Sequence, residues 1–500
     1  MSLTLEAVSR DPLTTATAPP PFAGESAIAD RLQIYNASTG TLSIRALQEG
    51  SSTTTRIVRT GTLRFEEVVL PTLNYSKLLD NNVERIPQPP VESYVPSTNE
   101  KAARWGALLQ FATVCWCVFS IGWNDGTTGP LLPRIQSNYN VGYAVVSLIF
   151  VLSFVGFIVG ALLNVHLVDR IGFGKAMVLG AVTQVIGYAI QSFAPPFPVF
   201  ILAFAINGVG IALQDAGANA YVASIKDNSK TKMSILHSIY GTGAFLSPLS
   251  ATEFSHNKHW ALQYLTALGI SLVNIVLLIT VFRFKRQEVA LAEVGQARTE
   301  TVTANNDENK YRQIFRLREV HYLAFFLLIY VGVAVTIGGW SVTYIITVRG
   351  GGPNSGYISS GFFGGVAFGR LALLWVTKKL GDRLALFTYI LIAIGLQLVV
   401  WLVPSLIGDA VAVSLVGFVL GPLYPVVISH AGKILPHWLF AGAVGWIAGF
   451  GQAGSAFVPL ITGAIASREG IAALQPIMLA MMSLMFGLWL LIPRTARRVE

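Results

Sequence analysis

The chain has 500 residues and a formal charge of +9, with 53% apolar but only 12% charged residues, where a soluble domain carries roughly 25% charged residues. The window 178–225 holds a single formally charged residue, Asp215. No soluble surface can be built from such a window, whereas a lipid-facing one can, because lipid tails ask for no polar partner. The basic excess sits in loops between apolar spans, so it reads as membrane topology and not as nucleic-acid binding.

In chain order, residues 1–100 come first, rich in Ser, Thr and Pro. They read as a largely disordered tail without a folded core. Asn36 and Asn74 fit the glycosylation pattern, which matters only if the tail lies outside. The start lacks a basic region followed by an apolar run, so the first membrane span is expected to act as the insertion signal.

From Arg104 the chain alternates apolar spans with short loops: 104–127, 143–166, 175–194, 197–223, 233–254, 260–282, 320–346, 355–377, 384–404, 409–431, 437–464 and 469–492. Each is near the roughly 20 residues that cross a bilayer. The pattern predicts an all-α membrane protein of about twelve transmembrane helices. These form an N-terminal bundle (101–282), a basic linker (283–319), a C-terminal bundle (320–492) and a short tail (493–500). Cys115 and Cys117 fall inside the first span and read as small apolar fillers, too closely spaced for a metal or redox pair.

One set of loops holds most of the Lys and Arg, among them Arg170, Lys175, Lys226, the linker, Lys378, Arg383 and Lys433. The other set holds only Arg134, Lys258, Arg349 and Arg468. The positive-inside rule makes the first set cytoplasmic, and both termini with it, in a plasma or internal (vacuolar) membrane.

The two halves resemble each other. Residues 243–249 parallel residues 454–460, and Gly210 matches Gly421 at the same offset. Ile121-Gly122-Trp123 parallels Ile337-Gly338-Gly339-Trp340, and Asp169-Arg170 in the loop after span two parallels Asp382-Arg383 after span eight. Such parallel repeats place a solute site between the halves, near the membrane midplane.

The segment Asp169-Arg170-Ile171-Gly172 with Lys175 resembles the signature joining helices two and three of major facilitator superfamily transporters, although Val165 stands where that signature begins with Gly. Within the superfamily, Trp123-Asn124-Asp125 with Pro130 and Pro133, the run 213–222 with Asp215, Ala218 and Asn219, and the run 330–340 ending in Trp340 resemble helices one, four and seven of the fucose–proton symporter group and its fungal relatives. Ala334 departs from that pattern, since many members carry an acid there. The resemblance covers about 104–492. It implies the two-bundle fold, alternating access and a sugar-like solute.

Charge inside a bilayer is costly, so intramembrane ionisable groups are candidates by default. Asp215 and Asp125 are the acids expected to bind solute or protons. The alternatives are a structural Asp215 held by Asn219 and, if span one ends at its glycines, a solvated Asp125 cap. Asn124 shares the fate of Asp125, and Gln214 points about 100° away from Asp215. His237 and Tyr240 share a helix face, as do Trp340 and Tyr344; interfacial roles compete for each pair. Tyr424 and Gln452 are further candidates, while Asn274 and Gln397 read as glue between helices. Asp169, Arg170, Arg370, Asp382 and Arg383 read as gate elements, with Arg370 expected either to pair with an acid or to bind an anionic solute.

There is no P-loop, HExxH or GxSxG elbow, so no enzyme and no cofactor is expected. The expectation is a monomeric, proton-coupled symporter of a sugar or sugar-like solute. An exporter of apolar or cationic compounds, or a non-transporting sensor signalling through its tail, stands as the alternative.

Overall fold

The computed structural model describes residues 32–37, 41–48, 51–57, 99–296 and 309–493. In the tail, β1 (Leu32–Ala37), β2 (Thr41–Gln48) and β3 (Ser51–Ile57) form an antiparallel meander in the order β1-β2-β3. Ile34 is opposite Ile44, and Ile44 is opposite Thr55. The sequence reading expects no strands there. The departure has a local cause: apolar and polar residues alternate through Leu42, Ile44 and Ala46, and β3 is rich in Thr, a pattern that suits strands. Asn36 falls in β1, while Asn74 lies outside the described residues.

The membrane region is all helix. Six spans make the first bundle: α1 (Asn99–Tyr139), the broken pair α2 (Tyr143–Val146) and α3 (Leu148–Ile171), α4 (Phe173–Ser192), α5 (Phe197–Ser224), α6 (Ser229–Ser255) and α7 (Gln263–Phe282). The linker adds α8 (Gln287–Glu293) and α9 (Asn309–Arg316). The second bundle has α10 (Arg318–Arg349), α11 (Tyr357–Ala372) with α12 (Leu374–Leu380), α13 (Asp382–Leu402), α14 (Leu406–Leu420) with α15 (Leu423–Ile434), α16 (His437–Gln452) with α17 (Gly454–Glu469), and α18 (Leu474–Leu491). Among the described residues ten helices are long and apolar enough to cross a membrane, and the pair ending in α12, bent by 52°, makes an eleventh. The 27-residue α6 completes the set. Its lower apolarity comes from its many Ser and Thr residues with two Lys and a His.

Glycine contacts fix the register of the repeat. A Cβ on Gly156 would lie 1.9 Å from the Ala205 carbonyl oxygen, and one on Gly365 would lie 2.2 Å from that of Ser414. Gly208 meets the Ser153 carbonyl at 2.2 Å as Gly417 meets that of Phe362 at 2.1 Å. Gly243 meets Phe119 at 2.3 Å as Gly454 meets Leu328 at 1.8 Å. The members of these helix pairs stand 209 residues apart in spans one, two, four and their counterparts, and 211 apart in spans five and eleven. Pro248 and Pro459 each follow the paired glycine of α6 and α17 by five residues, so they occupy equivalent places.

Two expected matches are corrected. Trp123 is opposite Gly332, not Trp340, because both neighbour the paired glycines 243 and 454. Gly210 packs on the Gly180 carbonyl of α4, whereas Gly421 packs on that of Val366 in α11, so these two are not equivalent. Under the packing register Asp125 corresponds to Ala334, and Asp215 to Tyr424.

The ends away from the basic loops are stapled differently in the two halves. In the first, Tyr139, Phe200, Trp260 and Tyr264 form an aromatic cluster with ring centroids 5.3–6.4 Å apart. In the second, the Arg349 guanidinium pairs with Asp409 at 2.8 Å, with side chains 12% and 1% exposed, and donates to the Val400 carbonyl at 2.6 Å.

Candidate functional site

The helix α1 does not stop at its glycines. It runs on through Gly126, Gly129, Pro130 and Pro133 to Tyr139. The glycines serve contact: a Cβ on Gly126 would lie 2.4 Å from the Ala244 carbonyl of α6, and one on Gly129 would lie 2.2 Å from the Gly338 carbonyl of α10. Asp125 is therefore not a cap. It lies mid-helix yet is solvent-exposed, so it borders a hollow.

Around it the first half builds a polar wall. Tyr240 donates its hydroxyl to Asp125 Oδ2 at 2.7 Å, and Asn124 Nδ2 donates to Oδ1 at 3.2 Å. Tyr188 donates to Asn124 Oδ1 at 3.2 Å. Half-buried Asp215, on α5, accepts from Asn219 Nδ2 at Oδ1, 2.9 Å. Asp125 and Asp215 are close enough to feel each other's charge. Both oxygens of Asp125 thus have donors, as suits a standing carboxylate. For Asp215 only Oδ1 has one among the described bonds.

The second half contributes rings and one cation. The Tyr330 and Tyr424 rings lie 6.4 Å apart. Arg370, on α11, donates to the Gly421 carbonyl at 3.3 Å and, across the halves, to the His237 carbonyl at 3.5 Å. Its guanidinium lies beside Tyr330 and within electrostatic reach of Tyr240 and Tyr424. It does not pair with Asp382, which is bound by Lys433 at 2.5 Å inside the second half.

The hollow is shut on the side away from the basic loops. Trp340, 0% exposed, is capped by Tyr143 and Phe150 of the first half, with centroids at 5.8 and 6.4 Å. Ser467 Oγ accepts from the Ala144 amide at 2.8 Å, His256 contacts the Pro353 carbonyl at 2.7 Å, and Tyr357 bonds Glu253. Toward the basic side the seam of α6 and α11 continues past Phe245 and Gly364, then Gly241 and Ala367. Among the described contacts it ends at His237 and Arg370. Beyond that level, α5, α15 and α16 take their main packing partners from their own halves. Among the described contacts, those that join the halves thus cluster on the side away from the basic loops and along the α6–α11 seam as far as His237 and Arg370.

Other candidates lie elsewhere. Gln214 is fully buried, accepting from Gln184 at 3.1 Å and Asn274 at 3.0 Å, and donating to the Met177 carbonyl at 3.2 Å. It holds α4, α5 and α7 together. Tyr344 sits under Arg349 and bonds Val400 within the second half, so Trp340 and Tyr344 form no shared solute face. His237 reaches Arg370 through its backbone carbonyl, and half-buried Gln452 ends α16 at the break before α17. Asp169 and Arg170 are exposed at the end of α3 without an ion pair among the described residues. Arg383 bonds the Leu490 and Ile492 carbonyls and so ties α13 to the end of α18. No group of His, Cys, Asp or Glu suited to a metal occurs among the described residues.

Residues 114–436 match the family model for the Major Facilitator Superfamily. The chain belongs to that superfamily. It is a multi-pass membrane transporter whose relatives include sugar carriers, not enzymes. This major facilitator is 26% identical over 408 residues to "Bypass of stop codon protein 6" of Saccharomyces cerevisiae, covering 76% of this chain and 82% of that one. It is 20% identical to the glucose/mannose transporter of Bacillus subtilis, covering 75% and 93%. The crystal structure of the Escherichia coli fucose:proton symporter superposes with a TM-score of 0.53 at 15% identity, covering 78% and 99%. The fold and the fungal and fucose-symporter resemblance expected from the sequence therefore hold.

Three hollow residues escape the sequence reading: Trp123, Tyr188 and Tyr330. Trp123 Nε1 is buried without a partner among the described residues, and it lies within the motif that pointed to Asn124 and Asp125. The signal for Tyr188 and Tyr330 was a phenol deep in an apolar span, which needs a partner for its hydroxyl.

Proposed function

We propose that the protein is a proton-coupled symporter of a monosaccharide or similar polyol, working by alternating access with the basic side facing the cytoplasm. The observation that carries this is the pair of first-half acids in unlike settings. Asp125 has donors on both oxygens, and Asp215 keeps one oxygen free for a proton. Solute hydroxyls both donate and accept, so they suit a wall of Asp, Asn and Tyr facing the Tyr330 and Tyr424 rings. A protonated Asp215 donates to such a solute, while an ionised one only accepts, so proton and solute occupancy depend on each other. The relatives that are named as glucose/mannose transporter and fucose:proton symporter support the solute class and the coupling. The polar, hydrogen-bonding character of this wall disfavours an exporter of apolar compounds.

The test is uptake by purified protein in proteoliposomes. Radiolabelled D-glucose, D-mannose, D-galactose, L-fucose and D-xylose are offered with and without an inward proton gradient. At least one should accumulate only when the gradient is present. Accumulation of none, with or without the gradient, would sink the symport reading.

A further inference from the structure

We propose that the corner where α9 meets α10, together with α16, is a binding site for an anionic phospholipid of the bilayer leaflet on the basic side. The guanidinium groups of Arg312, Arg316 and Arg318 receive the phosphate, and a descending row of aromatic rings receives the acyl chains. The site is separate from the hollow and does not depend on which solute is carried.

Apolar contacts build the corner. The helix α9 ends at Arg316, Leu317 is extended, and α10 starts at Arg318. Ile314 is 3% exposed, and a Cβ on Gly442 of α16 would lie 2.8 Å from its Cδ1. His321 Nε2 contacts the Phe315 carbonyl at 2.9 Å, and its ring stacks on Phe315. At about 100° per residue, Arg312 and Arg316 share the face of α9 opposite Ile314.

The charge of the corner is positive. Arg312, Arg316 and Arg318 are all exposed, and none has an ion pair among the described residues. Residues 309–349 hold a single acid, Glu319. A guanidinium presents a planar fork that fits phosphate oxygens, and basic pockets between membrane helices suit acidic head groups.

From the arginines inward the rings form a ladder. Between centroids, Phe315 packs on Trp446 at 4.8 Å, Trp446 on Phe450 at 5.6 Å, and Phe450 on Phe325 at 5.1 Å. An aromatic belt holds rings at one level of the membrane interface. This row instead descends: Phe450 is one turn beyond Trp446 on α16, and Phe325 lies about 10 Å beyond Arg318 along α10. Phe315, Trp446 and Phe325 are 44%, 37% and 49% exposed. Phe325 does not face the hollow. Around α10 it stands about 140° from Tyr330 and about 180° from Ala334, the position matched to Asp125. A soluble phosphate compound would engage the arginines and leave the rings bare, whereas a phospholipid covers both.

The experiment places the full chain in phosphatidylcholine vesicles that hold a minor share of phosphatidylserine. Bromine on the acyl chains of one lipid or the other quenches nearby tryptophan. Subtracting the Trp446→Phe signal isolates Trp446, and subtracting that of Trp375→Phe isolates Trp375 as a control. Trp375 is 64% exposed beside Lys379 on the same basic side, so it reports the general attraction of anionic lipid to basic loops. Phosphatidylserine should be preferred over phosphatidylcholine by about tenfold at Trp446 and by about threefold or less at Trp375. Combining Arg312→Gln, Arg316→Gln and Arg318→Gln should lower the Trp446 preference to that of Trp375. An unchanged Trp375 signal also shows that this variant is folded. Equal preference at the two tryptophans of the wild type, or a Trp446 preference that survives the triple replacement, would overturn the proposal. Should the triple variant fail to fold, the wild-type comparison of the two tryptophans decides alone.

Discussion

The two bundles share a backbone register and differ in what they turn toward the hollow. Wherever helices touch through glycine, the halves agree: Gly156 with Gly365, Gly208 with Gly417, Gly243 with Gly454. Where side chains face the hollow, they diverge. Asp125 corresponds to Ala334, Asp215 to Tyr424, and Arg370 to Ala161. The staple on the closed side also differs, since Phe200 of the aromatic cluster corresponds to Asp409 of the ion pair. A carbonyl about 2 Å from a would-be Cβ admits no side chain, so close-packing sites cannot drift. Groups that border the hollow are free to specialise, and here the first half holds the acids while the second holds rings and a cation.

The largest effect that would sharpen this contrast is at the paired positions 215 and 424. Asp215→Asn should abolish uphill accumulation while sparing exchange, whereas Tyr424→Phe, which removes only a hydroxyl, should keep uptake within about threefold. Similar losses from both would erase the asymmetry. Next in size is the staple. Arg349→Ala leaves the Asp409 carboxylate buried and unpaired, and should cost about 3 kcal/mol of stability, read as a lowered Tm in detergent. An unchanged Tm would mean that the pair contributes nothing to the second half.

The shared register predicts equality in place of contrast. Gly243→Ala and Gly454→Ala should destabilise their bundles alike, by about 2 kcal/mol each through overpacking. A monodisperse, heat-stable Gly454→Ala protein would contradict the register. The smallest effect concerns the donor to Asp125: Tyr240→Phe removes a hydrogen bond to a charged group worth about 1.5 kcal/mol. Half-saturation for the sugar should rise about tenfold, since each 1.4 kcal/mol is a factor of ten. An unaltered half-saturation would take Tyr240 out of the site.

Much of this was legible in the sequence, for physical reasons. A bilayer demands long apolar windows, so the spans and the break between halves stood out, and a carboxylate inside such a window drew attention to Asp215 and Asp125. Asn219, beside Asp215, followed from helix spacing, whereas Tyr240 was singled out only for sharing a face with His237, and its bond to Asp125 on another helix was not foreseen. What failed was register. Trp123 and Trp340 look alike in sequence, but the glycines put Trp123 opposite Gly332, and Trp340 plugs the closed side. Gln214 sat beside Asp215 in sequence yet turned into the packing between helices. Tyr188 and Tyr330 were hidden because a Tyr in a membrane helix has interfacial uses as common as functional ones. Arg370 was noticed, but its neighbours come from other helices, which no single-span pattern reveals.

The central claim is that the titrating group belongs to the first half alone. Its most direct test follows protons instead of sugar. Proteoliposomes lightly buffered inside, with a trapped pH-sensitive dye, receive the transported sugar at equal pH on both sides. Wild type should acidify the lumen as sugar enters, and Asp215→Asn should exchange sugar with no acidification. Lumen acidification by Asp215→Asn at the wild-type rate, or sugar entry into wild-type vesicles with no proton movement, would contradict the account.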